Sequence, residues 1–238
     1  MRIVHISDNH WNLEKYPVAD LYVFTGDLLR NYPVKKVMAY YSDWTIDPGI
    51  ERIKQKLAVS KFVREVGGLR PYLGSPDAPI VAVRGNHDFI DVASFFDGCN
   101  FKHEFVDNEV VSVEVAGELL SITGHRGVPT INGMWNDEMP VPDLVDRQRR
   151  FALDCDLYLT HYNPQGVLDE GHYGLPGMAM WMEYETTKEH PVHLSGHTHK
   201  SGGQTQKEGK VLFSNAATTW NLIEGSPQQG WLDITERP

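Results

Sequence analysis

Ten aspartate, asparagine and histidine residues, seven of them candidate metal ligands, stand in five short groups along the chain. The groups are Asp8-Asn9-His10, Gly26-Asp27, Gly85-Asn86-His87-Asp88, His161 and Gly196-His197-Thr198-His199. Carboxylate, amide and imidazole ligands suit Mn²⁺, Fe or Zn, and a set without thiolates is unlike a closed structural zinc site. Seven ligands are too many for one ion with an open position, but they suit two ions that share a bridging carboxylate. Such a pair can clamp a phosphoryl group and hold hydroxide near neutral pH.

Each of these groups follows a short apolar run that predicts a β-strand. The five runs are RIVHI (2–6), DLYVF (20–24), PIVAV (79–83), DLYLT (156–160) and PVHLS (191–195). Because the carboxyl ends of strands form the ligand crevice of open α/β sheets, the groups should converge in space. Aspartate and asparagine also favour turns, which explains any one group but not five aligned strand ends.

The ordered set D-x-H, G-D, G-N-H-D, a histidine after a strand, and G-H-x-H resembles the motifs of the calcineurin-like metallophosphoesterases. The resemblance spans residues 8–199 and implies an α/β fold, a four-layered α-β-β-α sandwich of two mixed sheets flanked by helices. It assigns Asp8, His10 and His199 to a first metal, Asn86, His161 and His197 to a second, Asp27 as the bridge, and His87 as the catalytic histidine. In an extended backbone, residues two apart face one side, so His197 and His199 are expected to do so.

Further strand candidates are EVVSVEV (109–115), ELLSIT (118–123), KVLFS (210–214) and QGWLDI (229–234), with a hairpin turn at Ala116-Gly117. Helical spacing predicts helices over 51–66, 141–154 and 177–189, the first ending at Gly67-Gly68. We found no linker, so we expect a single domain over 1–238.

Composition limits location and partners. The chain has 238 residues and a formal net charge of −10, so we expect no membrane and no stable duplex-DNA binding. We found neither a transmembrane run nor a signal peptide, and we expect a cytoplasmic protein in which Cys99 and Cys155 are reduced thiols. The oligomeric state stays open.

The chain differs from the phosphoprotein phosphatases of this superfamily at two positions, and these differences limit the classes of substrate that we expect. Those enzymes carry a second carboxylate where this chain has Arg30, and their third block ends in glutamate where this chain has Asp88. The resemblance therefore favours a phosphodiesterase in which metal-bound hydroxide attacks a cyclic nucleotide, a nucleotide diester or an oligonucleotide end. The expected cofactor is two divalent ions, Mn²⁺ first, with Fe, Zn or Ni as alternatives. A phosphomonoesterase acting on a nucleotide or sugar phosphate, and a non-catalytic phospho-ligand-binding module, are the alternative functions.

Three features are candidates for substrate contact. His125 and Arg126 form a glycine-flanked turn after a strand, which suits either a phosphate contact or a plain turn. Residues 163–181 are rich in Gly and Pro and follow His161, and we expect them to form one wall of the substrate pocket, with Tyr173, Met178 and Trp181 as apolar surface. Six aromatic residues in predicted loops could stack on a base or simply pack there: Trp11, Tyr32, Trp44, Trp135, Tyr173 and Trp181.

Overall fold

The secondary structure was taken from a computed structural model. It describes residues 1–31, 34–35, 44–45, 47–96, 103–131, 133, 135–150, 154–170 and 174–236. The strands are β1 (Arg2–Ser7), β2 (Leu21–Phe24), β3 (Val34–Lys35), β4 (Trp44–Thr45), β5 (Ile80–Ala82), β6 (His103–Phe105), β7 (Glu109–Val115), β8 (Glu118–His125), β9 (Val128–Pro129), β10 (Glu138–Met139), β11 (Leu157–Thr160), β12 (Val192–Ser195), β13 (Gln204–Glu208), β14 (Val211–Asn215), β15 (Thr219–Ser226) and β16 (Gly230–Asp233). The α-helices are α1 (Pro48–Val66), α2 (Ala93–Phe96), α3 (Val141–Arg150) and α4 (Met178–Tyr184).

Two six-stranded mixed sheets form the centre of the fold. The first has the strand order β16-β15-β1-β2-β5-β6, and the second has the order β13-β14-β12-β11-β8-β7. In the first sheet β1, β2, β5 and β6 run parallel, and in the second β8, β11, β12 and β14 do. All five strands that precede the polar groups therefore belong to the parallel part of a sheet.

Alternation of side chains along the strands divides the core into three clusters. In β1, Ile3 joins a cluster between the two sheets, whereas Val4 joins a cluster that also contains Phe62 of α1. A third cluster on the outer face of the second sheet contains Leu144 of α3 and Met178 of α4. Because successive strand residues face opposite sides, this arrangement is the predicted four-layered α-β-β-α sandwich.

The first predicted helix is confirmed and gains one turn at its start. Asp47 caps α1 by accepting hydrogen bonds from the amides of Gly49 and Ile50 at 2.9 and 3.1 Å. Gly67 ends the helix in the left-handed conformation at φ 78°. The helix predicted over 177–189 is shorter than expected, because α4 ends at Tyr184. Residues 151–153, at the end of the helix predicted over 141–154, lie outside the described residues.

Other expectations for the chain have mixed outcomes. The hairpin at Ala116-Gly117 is confirmed, with φ 51° and 82° at its two turn residues. The seven described strands that were not predicted are β3, β4, β6, β9, β10, β13 and β15. Within the described residues, no helix combines the length and apolarity needed to cross a membrane.

Candidate metal centre

The strand ends bring most of the predicted ligands together. The ligand atoms of Asp8, His10 and His199 lie within 4.8 Å of one another, and so do those of Asp8, Asp27 and His161. The two groups share Asp8, so they are neighbours. Residues from strands of both sheets meet here, as the positions of the motifs predicted.

Asp8 is a buried carboxylate held from several sides. Its Oδ2 atom accepts hydrogen bonds from the Ser7 hydroxyl at 2.6 Å and the His197 amide at 2.8 Å. Its Oδ1 atom lies 3.2 Å from Nε2 of His199. Burial raises the pKa of Asp8, but the charge of His161 and the hydrogen bond from His199 reverse this effect, so that the pKa is lowered. The carboxylate is thus held ionised in the protein interior.

Asp27 lies between several imidazoles. Its Oδ1 atom accepts a hydrogen bond from the His87 amide at 2.7 Å, and its Oδ2 atom lies 3.1 Å from Nε2 of His161. Burial raises the pKa of Asp27, but the charges of His161 and His87 lower it well below its ordinary value. Both carboxylate oxygens of Asp27 therefore contact residues of the other motifs, and the lowered pKa keeps the carboxylate in the ionised form that a metal ligand has.

Two buried polar atoms in this region fit a metal ion. Nδ1 of His161 donates to the Thr25 carbonyl at 2.7 Å, which leaves Nε2 as the atom facing the two aspartates. Among the described residues, Oδ1 of Asn86 is buried without a hydrogen-bond partner, and the buried Nε2 of His161 has only ion-pair contacts, with Asp27 at 3.1 Å and Asp8 at 3.9 Å. Burial lowers the pKa of His161, but Asp27 and Asp8 outweigh it and raise the pKa to about 10. Buried polar atoms are rarely left unpaired, and a cation beside these carboxylates would use both atoms.

The backbone is strained at several of these residues. Asp8, His10, Asp27 and His197 all have positive φ, at 50°, 43°, 54° and 66°. This region disfavours residues with a side chain, and such strain clusters at functional sites at a cost of about 1–3 kcal/mol each. Four of the seven predicted ligands therefore have conformations that the surrounding fold must enforce.

The expectation of an extended backbone from His197 to His199 is wrong. His197 is left-handed, and His199 begins a short 3₁₀ helix, His199–Ser201. The two imidazoles consequently diverge. The His199 ring contacts Asp8, whereas the His197 ring lies with its centroid 5.2 Å from that of His161. Burial lowers the pKa of His197 to about 4, helped by the charge of His161.

Glycines in the motifs allow this close approach. A Cβ atom on Gly85 would lie 2.1 Å from Oδ1 of Asp27, and one on Gly196 would lie 2.3 Å from Oδ2 of Asp8. Neither contact is compatible with a side chain. Gly85 and Gly196, which precede Asn86 and His197, are therefore required by the packing of backbone against the two carboxylates.

His87 is held by three neighbours beside the carboxylates. Its ring stacks on Trp135 with centroids 4.1 Å apart, and it meets His10 edge-on at 4.8 Å. Its Nδ1 atom hydrogen-bonds to the amide oxygen of Asn31, which places Nε2 towards Asp27, 3.8 Å from Oδ2. Burial lowers the pKa of His87, although Asp27 opposes this effect. The ligand atoms of His87, His10 and Asp27 also lie within 4.8 Å of one another, so the geometry accommodates His87 as a ligand too.

Asn31 and Gln55 are supporting residues that the sequence did not reveal, and Asp88, known from the sequence as the end of its motif, has a supporting role that was not predicted. Gln55 of α1 donates to the His87 carbonyl at 2.7 Å. Asp88 accepts hydrogen bonds from the amides of Gly85, Asp27 and Leu29 at 2.9–3.0 Å. Burial, together with the charge of Asp27, raises the pKa of Asp88 to about 7. The only signal in the sequence was Asn31. It is a polar residue next to Arg30, and Arg30 stands where the phosphoprotein phosphatases have a second carboxylate.

His125 and Arg126 lie outside the ligand groups. His125 is buried, and its ring nitrogens contact the Tyr162 hydroxyl at 3.0 Å and the Arg126 carbonyl at 3.2 Å. Arg126 pairs with Asp107 at 2.9 Å and approaches Asp137 at 3.8 Å. Both side chains therefore have partners within the protein, as a structural turn would have.

Cysteine takes no part in the described site. Cys155 is a buried free thiol. Burial raises its pKa to about 11, which suits an inert core residue. Cys99 lies outside the described residues.

A cavity opens beside His10. It has a volume of about 820 Å³, and its lining includes His10, Trp11, Arg30, Lys61, Phe62 and Tyr72. The expectation that Met178 and Trp181 form a pocket wall is wrong, because both are buried in the core cluster on the outer face of the second sheet. Tyr173, in the same segment, lies outside the described residues.

Comparison with known families agrees with this geometry. The profile described as calcineurin-like phosphoesterase matches residues 1–201, and the chain belongs to this family. A search of curated proteins gave no match. The family is one of hydrolases of phosphoric esters that use divalent metal ions, and the clusters around Asp8 and Asp27 are candidate sites for such ions.

Proposed function

We propose that the chain is a phosphodiesterase with two divalent metal ions. Asp8, His10 and His199 would hold one ion, Asn86, His161 and His197 the other, and Asp27 both. The observation that carries this proposal is the convergence of ligand atoms: those of Asp8, Asp27 and His161 lie within 4.8 Å of one another, and those of Asp8, His10 and His199 do so beside them. Bound metal ions supply positive charge for the phosphate oxygens and lower the pKa of water. Mn²⁺ suits these oxygen and nitrogen ligands.

His87 is the proposed proton donor to the leaving oxygen. Since Asn31 accepts from Nδ1, a proton passed to the leaving oxygen would come from Nε2 of the cationic ring, and Nε2 faces the carboxylates. The stacked Trp135 and the hydrogen bond from Gln55 to the backbone fix the position of the ring. A positioned acid of this kind contributes about 10²–10⁴-fold to the rate.

Preference for a diester is supported by space and by charge. A diester carries two organic substituents, and the cavity beside His10 can receive one of them. The Asn31 amide that contacts His87 is neutral, whereas the phosphoprotein phosphatases of the superfamily have a carboxylate for their histidine. The site therefore differs from theirs at the residue that sets the charge of the catalytic histidine.

The test compares two model substrates on Mn²⁺-loaded protein. We expect kcat/KM for bis(p-nitrophenyl) phosphate to exceed that for p-nitrophenyl phosphate by at least about tenfold, which is 1.4 kcal/mol of transition-state preference. EDTA should abolish both activities. The reverse ranking would indicate a phosphomonoesterase. Binding of two metals without hydrolysis of either substrate would indicate a phospho-ligand-binding module.

A further inference from the structure

We propose that the cavity beside His10 binds an aromatic base and a second phosphate of the substrate, so that the substrate is a short single-stranded oligonucleotide. We call this cavity the Trp11 cleft, lined by His10, Trp11, Arg30, Lys61, Phe62 and Tyr72 among others. The inference rests on the proposed phosphodiesterase function and adds the class of substrate.

The position of the cleft connects it to the metal centre. His10 lines the cleft, and its ligand atom is also within 4.8 Å of those of Asp8 and His199. Trp11 follows His10 directly in the chain. One ester arm of a phosphate held at the metal centre can therefore extend past His10 into the cleft.

Supported aromatic rings form one side of the cleft. Trp11 meets Phe62 of α1 edge-on, with centroids 5.3 Å apart, and Phe62 stacks on Tyr72 at 6.2 Å. Phe62 is buried, whereas Trp11 and Tyr72 are only partly buried. Packing thus fixes these rings where a planar ligand can reach them. Stacking of a base on such a ring strengthens binding by roughly ten- to a hundredfold.

Positive charge lines the same cleft. Arg30 is exposed, and Lys61 has a side chain that is 67% exposed and lies 4.0 Å from Glu65. Among the described residues that line the cleft, these two cations exceed the single carboxylate, Glu65, although the whole chain has a net charge of −10. Local positive charge on an acidic protein attracts an anionic ligand. An uncharged ester substituent would contact the aromatic rings but would not pair with the cations. A nucleotide that carries its own phosphate would do both.

The size of the cleft also suits a nucleotide. Its volume of about 820 Å³ lies in the upper part of the roughly 300–1,000 Å³ range of small-ligand pockets. A simple aryl or alkyl ester arm would leave much of it filled by water.

The test measures binding rather than turnover. Isothermal titration calorimetry on the Mn²⁺-loaded protein compares thymidine 3′,5′-bisphosphate with thymidine 5′-monophosphate. We expect tighter binding of the bisphosphate, by at least about fivefold. Trp11→Ala should weaken binding of both ligands by about tenfold, in line with loss of one stacked base, and Trp11→Phe should retain most of the affinity. Arg30→Gln should remove the preference for the bisphosphate.

Lys207→Gln is the matched control, because Lys207 is exposed on β13 and does not line the cleft. It should leave both affinities unchanged. If Trp11→Ala lowers the melting temperature, Arg30→Gln and Trp11→Phe decide the result. Equal effects of Arg30→Gln and Lys207→Gln, or equal affinity of the wild-type protein for the two ligands, would overturn the proposal.

The two proposals fail in different ways. Hydrolysis of bis(p-nitrophenyl) phosphate without the expected binding pattern would refute the assignment of the cleft and leave the phosphodiesterase standing. The binding pattern without any diester hydrolysis would refute the phosphodiesterase and keep the cleft as a nucleotide site.

Discussion

Two segments begin at proposed metal ligands where strands end. The first lines a surface cavity, whereas the second packs into the core. Residues 8–13 follow β1, and Trp11 and Leu13 in this segment line the cavity. Residues 161–177 follow β11, and the part that the structure describes turns inwards. Pro164 and Leu175 form a parallel bridge there, and Leu175 and Val167 are buried in the third core cluster. Glycine and proline in the second segment indicate irregular backbone but do not show which surface it covers.

Each segment contains a carboxylate, and the two are expected to have different roles: one would bind metal and the other supports a loop. Asp8 belongs to the first segment, and Asp169, in the second, accepts from the Gly174 amide at 3.3 Å. Asp8→Asn should lower kcat/KM by about 10³–10⁵-fold, because loss of several kcal/mol of metal-derived stabilisation is at stake. Asp169→Asn should lower the free energy of unfolding by about 1–3 kcal/mol and keep the metal. Steady-state kinetics, metal analysis and thermal unfolding of the two variants test these expectations. Loss of metal from Asp169→Asn would contradict the different roles assigned to the two carboxylates.

A second change tests the catalytic side of the first segment, where His10 meets His87. His87→Ala should lower the rate by about 10²–10⁴-fold while both ions remain bound. The loss should be smaller for substrates with very good leaving groups, because these need less protonation. Steady-state kinetics with aryl diesters of different leaving-group pKa measure this. Loss of an ion would instead assign His87 as a ligand.

The smallest expected effect on catalysis comes from the helix that follows the second segment. Met178 is fully buried in the third cluster. Met178→Ala should therefore reduce the free energy of unfolding by about 2–5 kcal/mol, with kcat/KM of the folded protein within about twofold of the wild type. Denaturant unfolding and kinetics at low temperature test this. A large change in KM with unchanged stability would instead show that this segment contacts the substrate.

The sequence predicted the strands of the two sheets better than the turns between them. Short apolar runs specify a strand buried on both faces, as Ile3 and Val4 show by packing on opposite sides of β1. All nine predicted strands are found. Strand β15 was missed because its interior holds polar Asn221, which donates to the Ser214 hydroxyl at 2.8 Å. This strand becomes recognisable only when its partner strands are in place.

The site shows the same division. The strand ends predicted that Asp8, Asp27 and His161 would meet, since parallel strands place their ends together. The partner of His87 could not be predicted, because Asn31 reaches it only through the path of the turn after β2. The left-handed conformation of His197 depends likewise on the Asp8 carboxylate, which accepts its amide proton. Tertiary contacts decide both features.

The central claim is a pair of metal ions at the meeting point of the two sheets. The most direct test is a crystal structure of the protein soaked in Mn²⁺, with anomalous diffraction to locate the ions. We predict two anomalous peaks, with Asp27 contacting both and only oxygen and nitrogen atoms as ligands. A single peak, or a ligand from Cys99 or Cys155, would contradict the account.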